Sequence, residues 1–244
     1  MQDLIIFHRN LRIEDNAALY NASLNQNYSS VFIFDKEYWS QTDRSRNQLK
    51  FALDSLSELE NELNKFNVNL YVFEGNLKDL GNHLNQNHPN LNLHMNHTTE
   101  TEYFSKNLQA LKQNFSLNVC EYKDFGIQIT NQNRDKWASD WQNYMKTKTY
   151  ETPLKSRNFK TMNLPKFSEF KNSKNDHSTY IQKGGTASGK GLLTSFLEKR
   201  CKGYSKKMSN PSDAAISCSR LSPHIAFGTL SIRNIYQELE KNIN

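Results

Sequence analysis

The sequence LIIFHRNLRIEDNAAL at residues 4–19 carries the strongest indication of the fold. Four apolar residues lead into a charged loop, and the loop leads into a segment with helical character. An apolar run without polar interruption predicts a strand buried on both faces, as in a parallel sheet covered by helices. Asp15 or Asn16 is expected to cap the following helix. We also expect Arg9 and Arg12 to pair with Asp15 and brace the loop.

The same alternation of strand and helix continues through the first 125 residues. Strands are predicted at Leu4–Phe7, Val31–Asp35, Leu70–Phe73, Leu91–Met95 and Leu117–Cys120. Helices are predicted between them at residues 16–27, 44–66, 77–86 and 100–114, the second with leucines at three- and four-residue spacing. This order predicts an α/β domain over residues 1–125, built on a doubly wound, five-stranded parallel sheet of the Rossmann-like kind.

The pattern changes after the fifth predicted strand. A helix is predicted at residues 134–147, where Trp137, Trp141 and Met145 recur every four residues. This spacing indicates an apolar packing stripe rather than a platform for nucleic-acid bases. Residues 126–183 are therefore interpreted as an interdomain helix followed by a lysine-rich linker.

A helical segment is expected over residues 184–244. Its first helix is predicted at residues 187–204, and Ser222 before Pro223 has the pattern of a helix start with serine as the N-cap. Ser231 is expected to cap a last helix. Three helices at most bury little apolar surface by themselves. The segment is therefore interpreted as the truncated beginning of an all-helical domain.

Composition narrows the functional classes. The chain is 36% hydrophobic, carries a net charge of +6, and has no apolar stretch near the roughly 20 residues of a membrane helix. The charge suits a polyanionic partner, although a solvated basic surface explains it equally well. Three cysteines without metal-type spacing fit reduced thiols, and the N-terminus lacks the pattern of a signal peptide. We expect a cytoplasmic protein without a membrane partner.

Four histidines lie close together in the sequence, at positions 83, 88, 94 and 97. Their spacing matches no zinc pattern, and neither a cysteine nor a pair of carboxylates joins them. We expect no metal site in this region.

The most chemically suggestive stretch is SCSRLSP at residues 217–223. Hydroxyl groups, one fixed positive charge and the N–H groups of a helix start can together bind phosphate oxygens. An ordinary capped helix with an exposed arginine would contain the same residues. The residue pattern alone leaves both interpretations open.

Two motifs carry a resemblance to a known family. FHRNLRIEDNAAL at residues 7–19 resembles the opening motif of the DNA photolyase and cryptochrome family, and CSRLSPHIAFGTLS at 218–231 resembles the start of that family's flavin-binding helical domain. SRNQLKFALDSLSELENEL at 45–63 and VFEGN at 72–76 are similar to further segments of its α/β domain. The resemblance implies an antenna-binding type of α/β domain followed by an incomplete FAD-binding domain.

The resemblance also implies a cofactor site. In this family a tyrosine and a T-S-x-L-S loop hold FAD, and the loop grips the diphosphate. The predicted FAD contacts in this chain are Tyr204, Cys218, Ser219, Arg220, Leu221 and Ser222. Cys218 stands where threonine is usual, so a hydroxyl donor is replaced by a thiol, which is a poor phosphate partner. The helices that complete the flavin site in the family would follow residue 244.

The function implied by the resemblance is light-driven repair of ultraviolet-induced pyrimidine dimers in DNA. FAD would be the cofactor, and an antenna chromophore of the folate or deazaflavin type is expected on the α/β domain. Two alternatives stay open: a cryptochrome-like blue-light photoreceptor without repair activity, and a non-functional gene fragment without a stable flavin site. A separately encoded C-terminal half is a further expected partner. By itself the chain is expected to bind FAD weakly or not at all.

Overall fold

One parallel sheet organises the α/β part of the chain. The computed structural model describes residues 2–88, 90–99, 102–115, 117–127, 133–157, 159, 161–172 and 182–243. The strands are β1 (Gln2–Phe7), β2 (Tyr28–Phe34), β3 (Leu70–Glu74), β4 (Leu91–Asn96) and β5 (Asn118–Tyr122). Their order is β3-β2-β1-β4-β5, with every pairing parallel. The predicted five-stranded, doubly wound sheet is confirmed.

Five helices accompany these strands. They are α1 (Ala17–Ser23), α2 (Lys36–Ser40), α3 (Arg46–Asn64), α4 (Leu77–Asn87) and α5 (Glu102–Asn114). The sequence did not predict the short α2, which begins directly after β2 because the Asp35 carboxylate accepts hydrogen bonds from the first backbone N–H groups. A capping box formed by Ser45 and Gln48 starts α3.

Burial on both faces explains the uninterrupted apolar run of β1. Ile5 and Phe7 pack in the cluster that contains the leucines of α3, whereas Leu4 and Ile6 pack in the cluster that contains those of α4. All four side chains are almost completely buried. Since successive residues of a strand point to opposite faces, a strand between two helical layers has no solvent side on which a polar residue would be tolerated.

The second half of the described chain is helical. Its helices are α6 (Trp137–Lys146), α7 (Phe167–Asn172), α8 (Thr186–Ser195), α9 (Tyr204–Lys207), α10 (Pro211–Ser217), α11 (Ser222–Ala226) and α12 (Ile232–Ile243). Among the described residues, no helix is long and apolar enough to cross a membrane. The domain boundaries at residues 125 and 183 stay predictions, and residues 173–181 of the expected linker lie outside the described residues.

The helix predicted at residues 187–204 is not continuous. After α8 the chain forms a π-helical turn, Phe196–Arg200, and α9 begins only after Gly203. Gly203 has a φ of +81°, a left-handed conformation that glycine adopts at little cost. The apolar spacing of this segment predicted helical character correctly, but it gave no signal for the break.

A buried polar cluster crosses the sheet. His94 Nε2 lies 2.9 Å from the Asp3 carboxylate, and His94 Nδ1 lies 2.9 Å from the Tyr122 hydroxyl. Asn25 and Asn92 donate further hydrogen bonds to Asp3 at 2.6 and 2.9 Å. His94 is thus part of a structural network, and no group of potential metal ligands occurs in the described ranges.

We predict that Asp3 makes stability depend on acid pH. Burial raises the pKa of Asp3, but hydrogen bonds from His94 and the two asparagines outweigh it, so the pKa falls below its ordinary 3.8. The ionised carboxylate therefore stabilises the fold above that pH, and this contribution is lost as the pH falls further. Asp3→Asn should lower the free energy of unfolding by about 1–3 kcal/mol at pH 7.

Chemical denaturation at a series of pH values tests this prediction. The difference between the parent and Asp3→Asn should shrink as the pH falls below 3.8, because the carboxyl group of the folded protein binds its proton only below that pH. Asp43→Asn removes an exposed carboxylate and is the control. A constant difference between pH 7 and 3 would contradict the role of the Asp3 charge.

Candidate functional site

The loop after β1 is fastened directly to the segment that follows α11. Arg9 Nη1 donates to the carbonyl of Ala226 at 3.2 Å, and the Leu11 N–H donates to the carbonyl of Phe227 at 3.1 Å. Arg12 Nη1 donates to the carbonyl of Gly228 at 3.2 Å. Gly228 is required here, because a Cβ atom would lie 2.1 Å from the Arg9 carbonyl oxygen. Three consecutive carbonyls therefore accept hydrogen bonds from one short loop.

Two buried ion pairs complete this junction. Arg12 forms a two-oxygen contact with the Asp124 carboxylate, both distances being 3.0 Å, and Asp15 pairs with Arg233 of α12. The expected pairing of Arg9 and Arg12 with the Asp15 carboxylate is wrong. Arg12 reaches only the backbone carbonyl of Asp15, at 2.9 Å. Arg12, Asp15, Asp124 and Arg233 are all buried, so the junction is closed to solvent.

The helix caps at this junction follow the sequence prediction. Asn16 caps α1 by accepting a hydrogen bond from the Leu19 N–H at 3.2 Å. Ser231 accepts from the N–H groups of Arg233 and Asn234, which makes it the N-cap of α12. The Ser231 hydroxyl also donates to the Asp15 carboxylate. One serine therefore starts α12 and ties it to the β1 loop.

The 217–222 loop, which holds five of the six predicted FAD contacts, connects α10 to α11. Leu221 is buried against Leu193 and Leu230 and anchors the loop. The expected N-cap role of Ser222 is wrong, because Leu221 occupies the N-cap position and no side chain caps the helix. Ser222 is the exposed first residue of α11. Arg220 has a φ of +60°, which is uncommon for a residue with a side chain.

A second arginine, which sequence reasoning missed, lies against this loop. Arg200 donates hydrogen bonds to the carbonyls of Cys218 and Ser219. Burial, followed by the charge of Arg220, lowers the pKa of Arg200. Within the described residues no carboxylate pairs with Arg200. Two guanidinium groups close together would attract an anion such as a phosphate.

Tyr204 is connected to the same loop through two intermediate side chains, Phe196 and Arg200. Its ring meets the Phe196 ring edge-on at 5.6 Å between centroids, and the Arg200 guanidinium lies 5.7 Å from the same ring. Phe196 therefore links Tyr204 to the arginine that holds the loop. Five of the six predicted contacts are consecutive residues, 218–222, and Tyr204 is linked to them through Phe196 and Arg200. The role of all six towards FAD stays a prediction.

A narrow cleft opens at the carboxyl ends of the strands, where doubly wound sheets place their ligands. His8 stacks on Phe104 at 4.2 Å between ring centroids, and the Tyr103 hydroxyl donates to Asp35 at 2.8 Å. Further lining residues are Arg9, Tyr38, Trp39, Leu77 and Phe227. No sequence motif predicted this cleft, because its walls come from segments far apart in the chain.

The tryptophan stripe of α6 is only partly confirmed. Met145 is completely buried, and Trp141 meets the Tyr236 ring of α12 edge-on at 5.6 Å. Trp137, in contrast, is 57% exposed. The four-residue spacing predicted a shared packing face, but α6 packs against α12 along part of its length only.

The α/β part of the chain matches a known protein family. The model of the family described as DNA photolyase matches residues 3–127, just over half of the chain. The chain belongs to the DNA photolyase family. The match includes the β1 loop and Asp124, and therefore much of the buried junction described above.

Individual relatives agree with this membership. Cryptochrome-1 of Aedes aegypti is 34% identical over 83 residues, which cover 31% of this chain and 15% of that protein. Among solved structures, the Sulfolobus tokodaii photolyase with two FAD molecules has a TM-score of 0.73 at 24% identity, covering 98% of this chain and 55% of that one. A Synechocystis cryptochrome gives 0.73 at 22% identity, covering 99% and 55%.

A bacterial class III photolyase from Agrobacterium tumefaciens also has a TM-score of 0.73, at 20% identity, covering 97% of this chain and 52% of that one. At such identities these structural likenesses show the fold alone. The chain spans about half the length of the solved photolyases and cryptochromes and a smaller share of the curated relative.

We predict that breaking the buried pair of Asp15 and Arg233 strongly destabilises the fold. Removing one member of a buried ion pair leaves the other charge uncompensated, which typically costs about 3–5 kcal/mol. Asp15→Asn and Arg233→Gln should therefore each lower the free energy of unfolding strongly. The double variant should cost less than the sum of the two, because the residues act as a pair.

Urea denaturation of the three variants measures these costs. Lys241→Gln is the matched control, since it breaks an exposed ion pair with Glu238 on the same helix and should change stability little. Strictly additive costs for Asp15→Asn and Arg233→Gln would contradict direct coupling.

Proposed function

We propose that this chain forms the front part of a flavoprotein that repairs ultraviolet-induced pyrimidine dimers in DNA with light, with FAD held at the 217–222 loop. Membership of the DNA photolyase family supports the proposal. The observation that supports the FAD site is the 217–222 loop, which holds Ser219, Arg220 and Ser222 and accepts hydrogen bonds from Arg200 at the carbonyls of Cys218 and Ser219.

The residues at the loop fit a diphosphate. Arg220 would supply charge, Ser219 and Ser222 would supply hydroxyl groups, and Cys218 would contribute its backbone rather than its thiol. Leu221, buried beneath the loop, would fix its position, and Tyr204 would cover one side. When bound, FAD would supply the light-driven electron transfer that splits the dimer. The chain's own part is to bind and orient the cofactor.

We propose the cleft at the carboxyl edge of the sheet as the antenna site, which requires its walls to move apart because the cavity has a volume of about 30 Å³. Stacked rings of His8 and Phe104 offer an aromatic wall, and Asp35 with Tyr103 offers a polar edge. A flat heteroaromatic ring with a few hydrogen-bonding groups, such as a folate or a deazaflavin, matches such a lining. The antenna therefore belongs in this cleft under the proposal.

DNA is the proposed partner, and a cytoplasmic location is proposed with it. The segment after α8 carries exposed lysines close in sequence to the proposed flavin contact Tyr204, namely Lys202, Lys206 and Lys207. Such charges can grip backbone phosphates without reading sequence. A damaged pyrimidine must leave the base stack to reach a cofactor. A separately encoded C-terminal half is the second proposed partner, and it would supply the remaining walls of the flavin site.

A photoreceptor without repair activity is the alternative function. The match to Cryptochrome-1 of Aedes aegypti favours it. This alternative uses the same flavin loop and differs only in what happens after light absorption. A non-functional fragment, in contrast, would have no flavin site.

We predict that the purified 244-residue chain binds FAD weakly but more tightly than riboflavin, which lacks the diphosphate. Arg220→Ala should weaken FAD binding by about tenfold, because it removes a charge-assisted contact. Ser222→Ala should weaken it less, since a neutral hydroxyl contributes less than a charge. Trp137→Ala, at an exposed position, should change neither FAD binding nor the melting temperature.

Equilibrium dialysis against FAD and riboflavin, with a thermal melt of each variant, tests the site. Equal retention of FAD and riboflavin would contradict a contribution of the loop to diphosphate binding in this chain. Loss of FAD preference in Trp137→Ala but not in Arg220→Ala would place the site elsewhere.

Repair itself requires a completed protein. We predict that a chimera, in which residues 1–244 replace the corresponding half of the Sulfolobus tokodaii photolyase, removes thymine dimers from an irradiated oligonucleotide under blue light. Chromatography of the hydrolysed oligonucleotide measures the dimers that remain. A chimera that holds FAD but leaves the dimers intact would favour the photoreceptor.

A further inference from the structure

The carbonyl groups of the 217–222 loop are held by side chains from outside the loop. Arg200 Nη1 donates to the carbonyl of Cys218, and Arg200 Nη2 donates to that of Ser219 at 3.3 Å. Gln182 Nε2 donates to the carbonyl of Arg220 at 2.7 Å. The carbonyl oxygens of residues 218–220 therefore all accept hydrogen bonds on the side of the loop that faces Arg200 and Gln182.

The π-helical turn puts Arg200 in reach of these carbonyls. Arg200 Nε and Nη2 lie 3.1 and 2.9 Å from Ser195 Oγ, five residues earlier. In an α-helix, residues five apart lie about 140° apart around the axis. The bond from the Cys201 N–H to the Phe196 carbonyl, at 2.9 Å, widens the turn so that Arg200 lies over Ser195. Ser195 then orients the guanidinium towards the loop.

The loop backbone has the alternating conformation of an anion-binding nest. Arg220 has a φ of +60°, and Leu221 follows in the right-handed helical region with φ −85° and ψ −12°. In such a pair, successive N–H groups converge on one concavity. A carbonyl oxygen turned into that concavity would repel an anion, so the carbonyls must be held on the other side.

We propose that Arg200 is a positioning residue for the cofactor loop, which keeps the carbonyls of Cys218 and Ser219 away from the bound diphosphate. This inference rests on the proposed FAD site at the same loop. Arg200 acts through the backbone, because its three nitrogen atoms already donate to neutral oxygens of Leu192, Ser195, Cys218 and Ser219.

Positioning differs from a simple effect of charge. Lysine would keep the positive charge, but its ammonium group cannot span two carbonyls and a hydroxyl as the planar guanidinium does. Arg200→Lys should therefore fail to restore what Arg200→Gln loses. Lys199→Gln removes the same charge from an exposed neighbour in the π-helical turn, and it serves as the matched control.

The experiment is a titration of the ¹⁵N-labelled 244-residue chain with inorganic pyrophosphate, followed by backbone amide shifts. In the parent protein the shifts should concentrate on residues 219–222. Arg200→Gln and Arg200→Lys should weaken binding at least about tenfold, the scale of lost charge-assisted hydrogen bonds. Lys199→Gln should weaken it by no more than about twofold, since exposed charges are screened. Without ligand, amide hydrogen exchange in Arg200→Gln should accelerate in this loop and not in the sheet.

A second variant covers the case in which Arg200→Gln does not fold. Ser195→Ala keeps every charge and removes only the hydroxyl that orients Arg200, so it should weaken pyrophosphate binding severalfold with an unchanged melting temperature. Absence of loop shifts in the parent would overturn the proposed FAD site together with this inference. Loop shifts in the parent with undiminished binding in Arg200→Gln, or full rescue by Arg200→Lys, would overturn the positioning role alone.

Discussion

The structure depends on charges that are buried where the β1 loop meets the helical segment. A buried carboxylate or guanidinium is costly unless it is paired, so Asp15 and Arg233 stabilise the fold only while they are together. The same holds for Arg12 and Asp124, which also stabilise the fold only as a pair. The junction therefore holds α12 and the preceding loop against the sheet. The segment that follows α11 and the start of α12 take their position from this contact.

The sheet could be predicted because its causes are local. Each central strand is buried by helices on both sides, and this leaves a short apolar run such as LIIF that is visible within a few residues. The caps at Asn16 and Ser231 are local as well. The brace was predicted wrongly for the opposite reason. Arg9 and Arg12 are the cations nearest to Asp15 in sequence, but its partner Arg233 comes 218 residues later, and no spacing rule connects the two.

In the candidate site, too, the local features could be predicted and the contacts between distant residues could not. Hydroxyl groups and an arginine in one loop indicated phosphate, and the family resemblance indicated which phosphate. The contact between Arg200 and the loop could not be predicted from the sequence. Residues 187–204 were predicted to form one continuous helix, and no residue pattern indicates which carbonyls an arginine of that helix contacts. The role proposed for Arg200 depends on two features of the structure. The π-helical turn rotates the Arg200 side chain around the helix axis, and α10 leads the chain back so that Cys218 lies within reach of Arg200. The spacing of the aromatic residues in α6 also gave a wrong prediction at Trp137. A packed side chain was expected, but no packing partner covers Trp137 in the described part of the chain.

The proposed cofactor loop and the strand-end cleft are not independent of each other. The loop ends where α11 begins, and α11 has five residues, which span about 7.5 Å. The next residue, Phe227, lines the cleft, contacts the Arg9 guanidinium at 4.6 Å and packs on Phe51. Because the carbonyls of residues 226–228 are fastened to the β1 loop, the short helix cannot shift relative to the sheet. A chromophore in the cleft and a flavin at the loop would therefore be held at a fixed separation and orientation. The efficiency of energy transfer between two chromophores depends on their separation and orientation, so under the proposed function the buried ion pairs would also help to set that efficiency.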